Sequence, residues 1–334
     1  MLLPPNLLTG PYATQPDSRN PARVQERQQT LSSKAGAYAP SNPKVRVHRA
    51  HSEDAIRAMS ISKSKAEAAQ STLSLVPAPR RARDLLKRTS FPIHPFDQMH
   101  GVDTSGLVPA KHLLTGHAND EHITAYYGVA PSILRALIGH WRETVPPHPI
   151  EDYTFVDVGA GKGRGLMVAS EYGFRKVAGI ELNHEMAAIA RQNVEHWTRA
   201  YREDPTAGRI APIEIFEQDA LEYDLPQTPT LLFLFHPFEA PVLKQLLRRI
   251  ETQFARRQGA LDLLYVNAEC ADVIDRNPGF TQLFLENVPM SPVDHSADLE
   301  AIARQKEYGS TGDEECAIYR YTGRARGSIF DPAA

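Results

Sequence analysis

The stretch FVDVGAGKGRG, residues 155–165, decides how this chain folds. The short apolar run 154–158 predicts a buried strand, and residues 163–172 after it predict a helix. The glycines between them let the backbone turn sharply and approach a ligand without an intervening Cβ. A glycine-rich turn between a strand and a helix is typical of doubly wound α/β folds, which bind ligands beyond the carboxyl ends of their strands.

The rest of the chain after Ile150 repeats this alternation of strand and helix. Further strands are predicted at 177–181, 213–216, 230–235, 261–266, 281–287 and 317–322, and further helices at 130–141, 184–201 and 240–257. Strands that are apolar on both faces and alternate with helices predict a mostly parallel sheet covered by helices on both sides. No full-length helix is evident between the last two strands, so we expect them to form an antiparallel pair at one edge.

Charge and composition divide the chain into two parts. The 334 residues are 42% apolar, enough for a sizeable core, and their net charge of −3 hides an asymmetry. Residues 1–91 carry 15 Lys and Arg against 6 Asp and Glu, whereas the remainder carries 22 against 34. The Pro-, Ser- and Ala-rich segment 1–88 is predicted to be disordered, with a short helix at 52–69. It is either a solvated tail or an arm that contacts nucleic acid, an acidic partner or an anionic surface.

The predicted organisation after that basic segment has three parts. Residues 89–149 form a lead-in with an N-terminal helix that covers the ligand site, residues 150–324 form the α/β domain, and residues 325–334 form a tail. No apolar run approaches the roughly 18 residues that a membrane span needs. The two cysteines, Cys270 and Cys316, lack CxxC or zinc-ligand spacing, which fits a reducing compartment. We therefore expect a soluble, cytoplasmic protein, whose oligomeric state the sequence leaves open.

The spacing of the glycines narrows the choice of ligand. Gly159, Gly161 and Gly163 follow the pattern G-x-G-x-G, and Arg164 stands where a dinucleotide fingerprint would place its third glycine. Asp157, two residues before the first glycine, would repel a pyrophosphate. It suits a ligand with an ammonium and a sulfonium group and no phosphate, and S-adenosylmethionine is such a ligand. The alternatives are that Asp157 only caps the helix and that the glycines only form a turn.

Two further acidic residues follow later strands. Glu181 ends the second strand, 18 residues after Gly163, close to the usual distance of about 20 for an acid that binds ribose hydroxyls. Its carboxylate can accept hydrogen bonds from both hydroxyls. After the third strand, Asp219 is followed by Ala220, and we expect it to reach the adenine amino group. The alternative is that Asp219 caps a helix.

These three features, in order and spacing, give residues 120–285 a resemblance to class I S-adenosylmethionine-dependent methyltransferases. The segments FDQMHGVDTSG, AYYGVAPSILRAL and FVDVGAGKGRGLMVASEYGFRKVAGIEL are also similar to a group of uncharacterised bacterial methyltransferases. The resemblance implies a Rossmann-like, seven-stranded sheet with a reversed last strand. It also implies that S-adenosylmethionine binds to Asp157, Gly159, Gly161, Gly163, Glu181 and Asp219.

Residues on the acceptor side are harder to assign. Tyr126, Tyr127 and Ser132 lie beside the start of the first core helix, where such enzymes close over the cofactor, and we include Tyr127 among the cofactor-binding residues. Packing and helix capping are the alternative for all three. Lys162 and Arg164 of the glycine turn are expected to be solvated.

His236 follows the fourth strand, where amino-group methyltransferases carry Asn-Pro-Pro-Tyr. A histidine can accept a proton near neutral pH, so His236 is the candidate catalytic residue, and the alternative is a loop histidine without a role. The departure from Asn-Pro-Pro-Tyr argues against assuming a nucleic-acid amine as the acceptor.

The function expected from these observations is methyl transfer. The arrangement also resembles histone-lysine methyltransferases of the non-SET type and small lysine methyltransferases, which implies a protein lysine as acceptor and the basic segment as a docking arm. No nucleic-acid-binding motif is evident. Two alternatives stay open: an NAD-dependent oxidoreductase, and a module that binds the cofactor without catalysis.

Overall fold

A computed structural model describes residues 92–303 and 310–323, which fold into a seven-stranded sheet with helices on both faces. The predicted features at 1–88, 52–69 and 325–334 lie outside these residues. The strands are β1 Thr154–Val158, β2 Lys176–Glu181, β3 Ile213–Glu217, β4 Thr230–Phe235, β5 Leu261–Val266, β6 Phe280–Pro289 and β7 Asp313–Tyr321. The helices are α1 Pro95–His100, α2 Pro131–Glu143, α3 Arg164–Ser170, α4 His184–Glu203, α5 Ala240–Gln253, α6 Ala271–Asp275 and α7 Pro292–Ile302.

The order of the strands across the sheet is β3-β2-β1-β4-β5-β7-β6. The first five strands run parallel, and β7 is antiparallel to both of its neighbours. This is the Rossmann-like, doubly wound and mostly parallel sheet that the sequence predicts, with its reversed last strand and its antiparallel pair at one edge. The strand order reverses between β1 and β4, so the carboxyl ends of these two strands form the switch point at which such sheets bind ligands.

Each face of the sheet has its own hydrophobic core. On one face, α2 buries Ile133, Leu134, Leu137 and Ile138, which recur at helical spacing and are fully buried. On the other face, the buried side of α5 packs on alternate residues of β4 and β5. Because side chains of a strand alternate between faces, the apolar run of β4 supplies both cores at once.

The prediction that no full-length helix separates the last two strands was wrong, because α7 lies between β6 and β7. Its apolar residues do not recur on one face, so its sequence has no helical periodicity to detect. The start of α7 is nevertheless typical of a helix: the Ser291 hydroxyl accepts a hydrogen bond from the backbone N–H of Asp294, and Pro292 occupies the first turn. The lead-in also contains the short helix α1, which the sequence analysis does not predict.

A buried polar cluster fastens α2 and β7 to β5. The Asp262 carboxylate is fully buried and accepts a hydrogen bond from Trp141 Nε1 at 2.7 Å. It also accepts two from the Arg320 guanidinium, at 2.7 and 2.9 Å. Such a bidentate pair is stable only while both partners are present, because a buried unpaired charge is costly.

Two further observations concern the cysteines and the length of the helices. Cys270 and Cys316 are both free thiols. None of the helices in residues 92–303 and 310–323 combines the length and the apolar character needed to cross a membrane.

We expect Arg320→Met to lower the free energy of unfolding by about 3–5 kcal/mol, since it leaves Asp262 charged and unpaired in the core. Urea denaturation measures this change. Arg276→Met is the matched control, because Arg276 pairs with Asp272 at the surface and its loss is expected to cost less than about 1 kcal/mol. Equal losses in the two variants would contradict the structural role of the cluster.

Candidate functional site

A cavity opens at the switch point, above the carboxyl ends of β1, β2 and β4. Its floor is the glycine turn after β1, and its roof is the segment that precedes α2. We call residues 92–129 the cap. The cap contributes Leu113, His117, Asn119 and residues 123–129 to the lining. The strand ends, turns and following helices contribute residues 157–161, 180–183 and 218–220 with Arg164, Gly165, Met186, Phe233, Phe235, Pro237, Phe238 and Val242.

The glycine turn fits tightly against its neighbours. Gly161 has a φ of +53°, and a Cβ there would overlap the ring of Tyr126, which lies directly on the turn. Gly159 has a φ of +75°, and a Cβ there would come within 2.6 Å of Pro237 Cβ. Both positions therefore need glycine for backbone conformation and for space. The turn thus serves the packing of the cap and of the β4 loop as well as the approach of a ligand.

Asp157 lies at the centre of this floor. Its side chain is 4% exposed, it lines the cavity, and no described residue donates a hydrogen bond to it. Burial, reinforced by the nearby Glu181 carboxylate, raises the pKa of Asp157 to about 8. A buried carboxylate without a partner is unfavourable, so this position suits a ligand that brings a positive charge or a hydrogen-bond donor.

Glu181 stands at the end of β2, across the glycine turn. Its two carboxylate oxygens accept hydrogen bonds from the backbone N–H groups of Gly161, at 2.7 Å, and Asn183, at 2.8 Å. Burial raises the pKa of Glu181, and these backbone donors oppose the rise. Each oxygen keeps a further lone pair, so the side chain can still accept hydrogen bonds from two ligand hydroxyls.

The third predicted acid, Asp219, also lines the cavity, together with Gln218 and Ala220. One of its oxygens accepts a hydrogen bond from the backbone N–H of Leu221 at 2.8 Å and so closes a turn, since no helix follows Asp219 for it to cap. The other oxygen lies 3.4 Å from Nε2 of His117 in the cap. Asp219 therefore connects the β3 end of the cavity with its roof.

The prediction that Lys162 and Arg164 are solvated was wrong, because both residues are buried, at 3% and 4% exposure. The Lys162 ammonium donates to Asp103 Oδ1 at 3.0 Å and to the Ser105 carbonyl at 2.8 Å. Arg164 donates to the Thr104 hydroxyl at 2.7 Å and to the Gly128 carbonyl at 2.9 Å. The basic residues of the turn therefore hold the cap in place.

The sequence did not predict these contacts of Lys162 and Arg164 with the cap. The available signal was the pair of acidic residues in FDQMHGVDTSG. Asp97 accepts hydrogen bonds from the backbone and hydroxyl groups of Thr104 and Ser105, which shapes the cap. Asp103 is paired with Lys162. The sequence alone does not pair Asp97 and Asp103 with the two basic residues of the glycine turn, because only the fold brings the two segments together.

Tyr127 and Ser132 contact the helix α7. Tyr127 lines the cavity, and its hydroxyl donates to Asp298 Oδ1 at 2.6 Å. The Ser132 backbone N–H donates to Asp294 at 2.7 Å, and its hydroxyl accepts from the backbone N–H of Ser291 at 2.9 Å. Ser132 thus has the capping and packing role, whereas Tyr127 lies where it can contact a ligand.

His236 follows β4 with a φ of +40°, a strained conformation for a residue that is not glycine. Its Nδ1 lies 3.0 Å from the Tyr265 hydroxyl, and its Nε2 lies 3.6 Å from Glu269. Burial lowers the pKa of the imidazole, although Glu269 opposes this. The cavity wall at this point is formed by Phe235, Pro237 and Phe238, and His236 is not among the lining residues.

Comparisons with known proteins give only remote likenesses. No family model and no curated protein sequence matches the chain. Solved structures that resemble it include a putative tRNA (m1A22) methyltransferase of Streptococcus pneumoniae, with 14% identity and a TM-score of 0.35 over 57% of this chain and 72% of that one. The magnesium protoporphyrin IX methyltransferase of Synechocystis, solved with bound SAM, has 13% identity and a TM-score of 0.34 over 57% and 79%. Likenesses this remote assign no function.

We expect Gly161→Ala to destabilise the ligand-free protein by about 1–3 kcal/mol more than Gly173→Ala. Both glycines have positive φ, so both variants carry the same left-handed strain of about 1–2 kcal/mol. Only the methyl group at Gly161 meets another residue, Tyr126, since a Cβ at Gly173 has nothing within 4 Å. Equal denaturation midpoints for the two variants would show that the cap does not rest on the turn.

Proposed function

We propose that this protein binds S-adenosylmethionine in the switch-point cavity and transfers its methyl group to an acceptor. The observation that carries the proposal is Asp157, a buried carboxylate in the cavity without a partner among the described residues. A ligand with permanent positive charge and no phosphate matches it, whereas a pyrophosphate does not. The strand order, with the reversed last strand that the resemblance to class I methyltransferases implies, supports the same assignment.

The residues present fit this donor along the whole length of the cavity. Asp157 would accept a hydrogen bond from the α-ammonium group of the donor, and Gly159 and Gly161 allow close backbone approach. Glu181 would accept hydrogen bonds from the ribose hydroxyls, and Asp219 lies at the β3 end, where we propose that it contacts the adenine. When bound, the donor supplies a methyl group on a sulfonium that is already reactive towards nucleophiles.

The contribution of the chain to such a reaction is positioning and the exclusion of water. The cap covers the cavity, with Tyr126 and Tyr127 in its inner surface. Phe235, Pro237 and Phe238 give the β4 side an apolar wall. His236 is the catalytic residue that we propose. Reaching the cavity would require a change in its side-chain position, because its ring nitrogens now face Tyr265 and Glu269.

The acceptor that we propose is a protein lysine, with the basic segment 1–88 as the docking arm and residues 89–149 as the part that covers the donor. The resemblance to lysine methyltransferases and the charge asymmetry of the chain support this. A nicotinamide cofactor is the second candidate for the cavity. Arg164 in the place of the third glycine disfavours it, because its side chain is committed to the cap.

Transfer of a labelled methyl group tests the proposed activity. The full-length chain is incubated with S-adenosylmethionine labelled in its methyl group and with a cell lysate, and the label is followed into protein, lipid, nucleic-acid and small-molecule fractions. We expect label on lysine after hydrolysis of the protein fraction. Label confined to another fraction would exclude the lysine acceptor, and the absence of transfer with intact donor binding would indicate a binding module.

A pH titration tests the role of Asp157. Because its pKa in the free protein is raised to about 8, the carboxyl is mostly protonated at pH 6 and must ionise to bind a cation. We therefore expect the affinity of the wild type for S-adenosylhomocysteine, measured by calorimetry, to rise about tenfold from pH 6 to pH 7. The affinity of Asp157→Asn is expected to be weaker and nearly constant over this range. Parallel pH profiles would count against a direct contact.

A further inference from the structure

A second cavity lies between the start of the cap and the helix α7. Its volume is about 590 Å³. Apolar residues from both sides form much of its wall, namely Pro92, Ile93, Pro292, Val293, Ala297 and Ala301. Ile93 and Val293 are 61% and 58% exposed, so the rim of the cavity presents apolar side chains to the solvent. Such a wall can cover the hydrocarbon part of a ligand.

The guanidinium of Arg164 stands between this second cavity and the switch-point cavity, because Arg164 and Gly128 line both. Its Nη1 donates to the carbonyls of Gly128, at 2.9 Å, and Val129, at 3.4 Å, on the side of the switch-point cavity. Its Nη2 lies towards Asp97, whose Oδ1 is 3.8 Å away. Asp97 accepts a hydrogen bond from Ser105, which lines the second cavity and not the switch-point cavity. Nη2 is therefore on the side of the second cavity.

This Nη2 group is a hydrogen-bond donor without an acceptor among the described residues. Nε donates to the Thr104 hydroxyl at 2.7 Å, and Nη1 is shared between two carbonyls, whereas 3.8 Å to Asp97 is too long for a hydrogen bond. Arg164 is only 4% exposed, so most of its side chain is removed from bulk solvent. Because a guanidinium is planar, the two bonded nitrogens fix the direction of Nη2. A buried donor of this kind favours a ligand that brings an acceptor oxygen.

The charges around the cavity decide which acceptor suits this donor. Asp97 lies beside Nη2, Asp294 lies 3.7 Å from Nε2 of the lining residue His94, and Glu300 is itself in the lining. Burial and the nearby charge of Arg164 lower the pKa of His94 to about 4, so Arg164 is the one cation among the described lining residues at neutral pH. A carboxylate or phosphate would be repelled by these acids, whereas an uncharged oxygen would not.

We propose that the second cavity binds an uncharged, largely apolar molecule that presents a carbonyl oxygen to Nη2 of Arg164. The apolar wall covers the hydrocarbon part of this ligand, and the fixed donor selects the carbonyl. An ammonium group does not suit the site, because it brings a donor where an acceptor is needed. The ligand reaches Arg164 from the side of Asp97 and Ser105, so the assignment holds whatever molecule the switch-point cavity binds.

Octanamide, octanoate and octylamine are the matched probes, because they share one hydrocarbon chain length and differ in the polar group. Calorimetric titrations of the full-length chain at neutral pH measure their affinities. We expect octanamide to bind at one site per chain, and at least about tenfold more tightly than the other two, as for one hydrogen bond to a charged group. Tighter binding of octanoate or of octylamine would overturn the assignment, and so would the absence of octanamide binding.

A pair of tryptophan variants places the site in the chain. Ala297→Trp puts a large side chain into the second cavity from α7, and we expect it to weaken octanamide binding by about tenfold or more. Ala303→Trp is the matched control, because Ala303 is an exposed residue at the end of the same helix and is not in the lining. It is expected to keep the wild-type affinity. Equal affinities in the two variants would place octanamide elsewhere and overturn the proposal.

A further variant tests the contact with Nη2. Arg164→Lys keeps the charge and loses the planar fork, so we expect the preference for octanamide over octanoate to fall below about threefold. A role of Arg164 in structure alone would weaken both probes equally and leave this preference unchanged, which would exclude the contact. If Arg164→Lys does not fold, the wild-type comparison of the three probes and the tryptophan pair decide.

Discussion

The contact between Tyr126 and Gly161 is the constraint on which the rest of the site depends. The aromatic ring of Tyr126 occupies the place that a side chain at Gly161 would take, so the cap can rest on the turn only because position 161 has no Cβ. The Tyr126 hydroxyl also donates to the carbonyl of Thr104, and Thr104 in turn accepts from Arg164. Roof and floor of the cavity therefore form one hydrogen-bonded unit.

Unbalanced charge is the second property of this site. Asp157 is buried without a partner, and Arg164 has a nitrogen free of hydrogen bonds within the described part of the chain. Desolvation disfavours a charge that lacks a partner, and burial therefore raises the pKa of Asp157 in the free protein. In the polar cluster around Asp262, by contrast, the same two residue types satisfy each other. The two sites differ because Asp157 and Arg164 line a cavity, whereas Asp262 and Arg320 are not among its lining residues.

Much of the fold follows from the sequence, because the buried strands are recognisable as short apolar runs. The predicted bounds of β1, β4 and β5 match the structure residue for residue, since these strands are buried on both faces and read as apolar runs. The helix α7 escaped prediction because its apolar residues do not recur at helical spacing. The cavity-lining acids Asp157, Glu181 and Asp219 could be predicted because each lies at or just beyond the carboxyl end of a strand.

The interactions that cross the chain could not be predicted in this way. Lys162 and Arg164 look like solvated residues in the sequence, and only their tertiary neighbours, about 35 to 60 residues away, show that they are buried. His236 follows the expected strand, but the direction of its side chain depends on Tyr265 and Glu269 in the adjacent β5 and its loop. Spacing along the chain therefore predicted the cavity residues at the ends of β1 and β2 better than the position of the His236 side chain after β4.

The central claim is that the switch-point cavity binds S-adenosylmethionine and not a dinucleotide. Calorimetric titration of the full-length chain with S-adenosylhomocysteine and, separately, with NAD tests it most directly. We expect saturable binding of one S-adenosylhomocysteine per chain and no measurable binding of NAD. Saturable binding of NAD without binding of S-adenosylhomocysteine would contradict it.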